Sequence, residues 1–150
     1  MIIAGYKSNL IKCNGYSIWQ EDNVIFIYSV GLWGKSTAER FSRDYTKMRE
    51  PLVGKPWSVI NHSKNWVLGT PEIEPILGKL AKPEDNDGLV VSIRIVSENA
   101  LAQFQMKKIT ENIPKSYFRM SFIEEVEAFN CLKEHGFDTQ IQLFSERIDV

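Results

Sequence analysis

Ligands for a soft metal and material for a disulfide framework are both scarce in this chain, whose 150 residues hold two cysteines and two histidines. Cys13 and Cys131 have no Cys-x-x-Cys spacing, and His62 and His135 also stand far apart. Cys131 and His135, four apart on one predicted helix, would need further donors, so no metal site is expected. Two reduced thiols in a cytoplasmic protein are preferred over a single disulfide. No apolar run approaches the ~20 residues of a membrane-spanning helix. Met1-Ile2-Ile3-Ala4 is too short for a secretory leader, and the first lysine follows that run instead of preceding it. Charge of one sign is missing too. The net charge is −1, with Lys and Arg dispersed among acids, which argues against nucleic-acid binding through a broad basic face. A phosphate-cradling loop is also lacking. Gly31-Leu32-Trp33-Gly34 lacks the remaining glycine of the nucleotide motifs although Lys35-Ser36 follows it, and no cofactor is implied.

What the chain does have is the composition of a globular domain, 43% hydrophobic and 25% charged. At this length a single domain buries roughly 70% of its unfolded surface and needs no covalent staple. Residues 16–30 predict a hairpin: Tyr16-Ser17-Ile18-Trp19 alternates, Glu21-Asp22-Asn23 turns, and an apolar run at 24–30 returns. That run is apolar at nearly every position, as befits a central strand covered on both faces. Ser36 and Glu39 then read as a capping box. Ala38, Phe41, Tyr45 and Met48 share one helical face, with Arg40, Arg43, Asp44 and Lys47 outside. A third strand from Trp57 to Ile60 or Asn61 leads into a polar loop, Asn61-His62-Ser63-Lys64-Asn65. Thr70 reads as the cap of a second helix, with Pro71 at its first position and Ile73, Ile76, Leu77 and Leu80 as the buried stripe.

A fourth strand at 89–96 alternates Val91, Ile93 and Ile95 against Ser92 and Arg94. A third helix starts at Ser97 or Asn99, carries Leu101, Phe104 and Met106, and ends by Pro114. A fifth strand covers 117–122. The last helix carries Val126, Phe129 and Leu132, with Gly136 as its left-handed C-cap. Residues 140–144 either add an edge strand or dock on the core. The order β-β-α-β-α-β-α-β-α plus a C-terminal tail predicts a single α/β domain with a mixed, mainly parallel five-stranded sheet and flanking helices.

Several stretches resemble the SpoIIAA-like branch of the STAS superfold, the sulfate-transporter and anti-sigma-factor-antagonist fold. They are the run 24–30 with Gly31-Leu32-Trp33, then Phe41-Ser42-Arg43-Asp44-Tyr45 and Lys55-Pro56-Trp57. Trp66 through Thr70-Pro71-Glu72, Glu127-Ala128-Phe129 and His135-Gly136-Phe137 also fit. The resemblance covers roughly residues 16–137. It implies a bacterial regulatory module in which a hydroxyl at the start of the helix after the third strand is phosphorylated to control partner binding. Thr70 falls there, with Leu68-Gly69-Thr70-Pro71-Glu72 where the family has an Asp-Ser-Ser/Thr-Gly type motif. The branch is also similar in shape to CRAL-TRIO lipid carriers, which implies an apolar ligand groove.

The candidate residues each carry a plainer reading. Thr70 is a phospho-acceptor or a helix cap, and the cap is preferred because phosphate beside Glu72 meets like charge. His62 and Ser63 are the only His/Ser neighbours, but adjacent residues on an extended chain point to opposite sides, and no Gly-x-Ser-x-Gly elbow is present. Glu124, Glu125 and Glu127 suit a helix N-terminus. Trp33, Trp66 and Tyr117 either rim a groove or close the core, and Trp57 belongs to the core. No catalytic set emerges. The leading expectation is therefore a non-catalytic binding module that meets another protein at the sheet end bearing Trp33, His62, Ser63, Trp66 and Thr70. A carrier or sensor of an apolar small molecule, lined by Phe41, Tyr45, Ile76 and Phe104, is the alternative. A small enzyme built on His62, Ser63 and Arg43 comes third, and the 140–144 segment offers a homodimer edge.

Overall fold

Strong β-formers at 24–33 and 57–60 make the two strands around which the chain is organised. The computed structural model describes residues 2–5, 15–98, 103, 105, 107–109 and 118–149. The expectations placed on Cys13, Asn99, Leu101, Phe104, Met106, Pro114 and Tyr117 fall outside them.

Among the described residues six strands lie side by side in sequence order: β1 (Ile2–Gly5), β2 (Gly15–Glu21), β3 (Val24–Trp33), β4 (Trp57–Gly69), β5 (Leu89–Ile95) and β6 (Phe118–Phe122). The five expected strands are β2 to β6, one antiparallel pair followed by three parallel pairings. The sixth, β1, adds antiparallel to β2. Four residues are too few for periodicity to reveal, so only pairing identifies this strand.

The β2–β3 hairpin turns at Asp22-Asn23, where Asp22 takes φ 51°, a left-handed conformation that Asp tolerates better than most residues. Residues 24–30 of β3 are all buried, because helices cover both sides of the sheet. Helix α1 (Lys35–Arg49) and the short α2 (Ile73–Gly78) lie on one side, where Ile25, Ile27, Trp57 and Val59 meet Ala38, Phe41, Tyr45, Met48 and Ile73. Residues 103, 105 and 107–109 are helical, and Gln105 packs against the end of β4 on that side. On the opposite side α3 (Glu125–Glu134) and the C-terminal tail cover Phe26, Tyr28, Ile60, Val91, Ile93 and Ile95.

Where local signals met no competition they held. Helix α3 ends in a Schellman turn. Phe137 N–H bonds Leu132 C=O at 3.1 Å and Gly136 N–H bonds Lys133 C=O at 2.9 Å, with Gly136 at φ 91° and Phe137 buried.

Three expectations are corrected. Residues 61–65 are not a loop: β4 runs on to Gly69, paired with β3 through two register shifts. Asn65 Nδ2 donates to the Tyr28 hydroxyl at 2.7 Å, and the Ser63 hydroxyl to Asn61 Oδ1 at 2.9 Å. Ser36 forms no capping box, because α1 begins at Lys35 with Gly34 as N-cap and no side-chain cap. Ser36 thus already lies inside the first turn, without the extended backbone a cap requires. Val126 is 61% exposed, and Ala128, Phe129, Cys131 and Leu132 form the buried face instead. The 140–144 segment, open between an edge strand and docking in the sequence, forms no strand. It docks, burying Ile141, Phe144 and Ile148, with a single 3-10 turn at Phe144–Glu146.

Phe144 is fully buried, its ring against Trp19, Phe26, Tyr28, His62 and Phe129 at centroid distances of 5.3 to 6.5 Å. The Glu125 carboxylate holds the tail in place by accepting the Phe144 N–H at 2.5 Å. Phe144→Ala is expected to destabilise the domain by about 3–5 kcal/mol, as truncation of a buried aromatic does, read from the urea midpoint at unchanged slope.

Candidate functional site

Alternation along β4 sends its residues to two different places. Trp57, Val59 and Asn61 face α1 and α2, whereas Ile60 and His62 face α3 and the tail. The same alternation puts Ile27 and Ser29 of β3, Ser92 and Arg94 of β5, and Arg119 of β6 on the α1/α2 side. A cavity of about 120 Å³ lies between this floor and the helices.

Its walls are chemically unequal. Trp33, Phe41, Tyr45 and Trp66 stand on one side, and Leu77, Leu80 and Ile109 close it from the helices. The aromatic wall is rigid. Phe41 and Tyr45 stack at 5.8 Å, Trp33 meets Trp66 edge-on at 6.4 Å, and Trp33 lies 5.2 Å from Phe41. Trp33 Nε1 donates to the carbonyls of Gly15 at 3.1 Å and Val30 at 3.3 Å, so its ring is anchored from below. Across the floor runs a polar row. Asn61 Oδ1 accepts from the hydroxyls of Ser63 at 2.9 Å and Ser29 at 3.3 Å, and Asn61 pairs in register with Arg94. Ser92 pairs with Arg119, which places the two arginines diagonally on one face.

The junction after β4 is built for close approach. Gln105 clamps both backbone groups of Gly69, accepting its N–H at 2.7 Å and donating to its C=O at 2.8 Å. A Cβ on Gly69 would fall 1.9 Å from the Cδ1 of Ile73, a fully buried side chain that would have to shift. Thr70 donates its N–H to Trp33 C=O at 3.0 Å. Its hydroxyl is buried with no partner, so the expected side-chain cap does not form. Helix α2 instead starts at Ile73, whose N–H bonds the Thr70 carbonyl at 3.1 Å. Proline at position 71 permits that tight 3-10 entry because it needs no donor there. A buried hydroxyl is also out of reach of a kinase unless this junction opens.

The five residues expected to form a docking end are thus separated. Trp33 and Trp66 line the cavity and Ser63 supports its floor through Asn61. Thr70 is not among its lining residues. His62 lies behind the sheet, its ring 5.0 Å from Tyr28 and 5.3 Å from Phe144. Arg43 is exposed on α1, so His62, Ser63 and Arg43 share no site. Among the described residues no group of three His, Cys, Asp or Glu side chains could hold a metal. Sequence reasoning passed over Asn61, Arg94 and Arg119. For Arg94 the signal was present in the alternation of β5, whose polar side meets helices instead of water.

His62 is a structural histidine with a titration consequence. Burial above all, aided by the Lys64 charge, lowers its pKa from 6.5 to about 4. Its Nε2 lies 3.9 Å from Glu125 Oε1, but the imidazole is neutral at pH 7, so this contact is no ion pair there. Because folding depresses this pKa, the unfolded chain takes up the proton first as pH falls. The stability is fully present above pH 6.5 and is lost on descending toward 4, by about 3 kcal/mol in all. His62→Gln is expected to flatten the fall in unfolding free energy between pH 6.5 and 4 relative to the parent chain. Gly69→Ala is expected to cost about 1–3 kcal/mol by overpacking, measured by urea denaturation.

Compared with known proteins, the chain matches no family model and no curated protein. No helix among the described residues is long and apolar enough to cross a membrane.

Proposed function

We propose that this domain binds a small apolar molecule in the cavity between the sheet and helices α1 and α2, acting as a carrier or sensor. The cavity itself carries the reading. It is a concave site of about 120 Å³, partly open to solvent, beneath aromatic and aliphatic walls, the kind of lining that small-molecule sites use. An apolar cavity of ~150 Å³ admits benzene, so the fitting ligand has about the bulk of one aromatic ring. Phe41 and Tyr45 line the space as a carrier would require, and Ile76 packs against the same cluster. Membership of the SpoIIAA-like branch of the STAS superfold belongs to the same proposal. It is supported by an opening hairpin, parallel strands after it, and helices on both faces.

Docking of another protein at the sheet end near Thr70 is the second reading, favoured by Leu32 and Val67, which are 48% and 53% exposed there. In that reading Leu32→Lys with Val67→Lys removes a purified partner's binding and leaves small-molecule binding intact.

Tryptophan emission and thermal unfolding in the presence of toluene or indole test the ligand reading. Trp33 and Trp66 should report occupancy, and the melting temperature should rise by several degrees at a hundredfold excess over Kd, where mass action contributes about 2.7 kcal/mol. Ala81→Phe, which fills the half-buried rim, is expected to abolish both signals. If neither neutral nor charged single-ring compounds move either signal, the cavity is a packing void and the reading fails.

A further inference from the structure

We infer that the ligand carries an acceptor oxygen of the carbonyl type, read by the Asn61 amide nitrogen and the Ser92 hydroxyl on the floor of the cavity. The inference rests on the ligand-binding reading and adds to it the chemical class of the ligand.

Asn61 sits on β4 within a lining that is mostly apolar. A floor that had only to pack would hold an aliphatic side chain there, as it does at Val59, two residues earlier on the same face. Instead the position holds an amide whose orientation is fixed. Asn61 Oδ1 accepts the Ser63 hydroxyl at 2.9 Å and the Ser29 hydroxyl at 3.3 Å, one from its own strand and one from β3. An amide oxygen has two lone pairs, and both are taken. The group left to the cavity is Nδ2, which can only donate. Among the described residues nothing accepts from it. Ser92 is half-buried on the same floor, and its hydroxyl has no partner among the described residues either.

Register brings these two groups to one place. Ser92 pairs with Val59, and Asn61 lies two residues farther along that face. A strand spacing of about 4.8 Å and a rise of about 3.3 Å per residue put their Cα atoms about 8 Å apart. One oxygen between them accepts from both, because a carbonyl has a lone pair for each donor. The ring of the same ligand then lies along Trp33, Phe41 and Trp66. A ligand with no acceptor would take the amide and the hydroxyl out of water and return no bond, which penalises it. Ser29 and Ser63 are positioning residues that act through Asn61.

The test is a pair of molecules of one shape, acetophenone and α-methylstyrene, in which a methylene replaces the carbonyl oxygen. Both are titrated against the full chain by calorimetry. The alkene gains more by leaving water, so a cavity without directed donors prefers it by about tenfold or more. Here acetophenone is expected to bind more tightly than the alkene. Asn61→Leu should reverse the order, weakening the ketone by about tenfold, the worth of one such hydrogen bond. Ser63→Ala should weaken the ketone and leave the alkene unchanged. The pair on the parent chain decides the matter even if a variant does not fold. Tighter binding of the alkene by the parent chain, or equal loss of both molecules in a folded Asn61→Leu chain, overturns the acceptor and leaves the cavity a purely apolar site. Absence of binding by either, together with silence toward toluene and indole, overturns the ligand reading beneath it.

Discussion

Parallel pairing of β3 with β4, carried from Val24 opposite Ser58 to Trp33 opposite Gly69, determines what each face of the sheet can become. Over most of their length both strands are covered on both sides, which commits neighbours such as Ile25 and Phe26, or Val59 and Ile60, to one of two interiors. The pairing absorbs two register shifts, between Tyr28 and Val30 and between Gly31 and Leu32. These shifts carry the ladder past a polar stretch and on to Gly69. Without that extension, Trp66 would not reach Trp33, and Gln105 would have no strand end to clamp.

The two interiors differ in kind. Behind the sheet, Phe26, Phe129 and Phe144 pack with Trp19 and Tyr28 into an aromatic cluster closed by the tail. His62 is held there as a neutral ring, and Tyr28 has its hydroxyl pKa raised, chiefly by burial. In front of the sheet the outer strands contribute Ser92, Arg94 and Arg119 where an apolar core would place valine or isoleucine. Helices α1 and α2 cover that floor without filling it. A polar floor beneath an apolar roof packs poorly against itself, and the space between them is the cavity.

The second crossover, from β4 to β5, shows how backbone and side chains share the same task. The buried Arg49 guanidinium donates to the Leu80 carbonyl at 2.8 Å and to Asn86 Oδ1 at 3.1 Å, and its cation lies 5.3 Å over the Tyr45 ring. Asn86 returns two further bonds, to the carbonyls of Leu80 and Lys82. This network pins the segment after α2 against α1 and holds the cavity's roof at its height. Residues 83–88, Pro-Glu-Asp-Asn-Asp-Gly, have the composition of a turn, and nothing in that composition indicates that Asn86 is buried.

The hairpin, the doubly covered β3, the alternation of β5 and the glycine stop of α3 were all legible in the amino-acid order, because each depends on a few neighbouring residues. The capping expectations at Ser36 and Thr70 failed for a shared reason. Helix starts are set by where the preceding strand releases the chain, and here β3 and β4 both ran longer than their composition suggests. Residues 61–65 read as loop by type and became strand because long-range pairing with β3 outweighs local preference. The order of residues by itself thus determined the class of fold and which strands lie at its centre. Only tertiary structure decided that Asn61, Arg94 and Arg119 share a floor with Trp33 and Phe41, since residues so distant in sequence meet only when register and crossover bring them to one face.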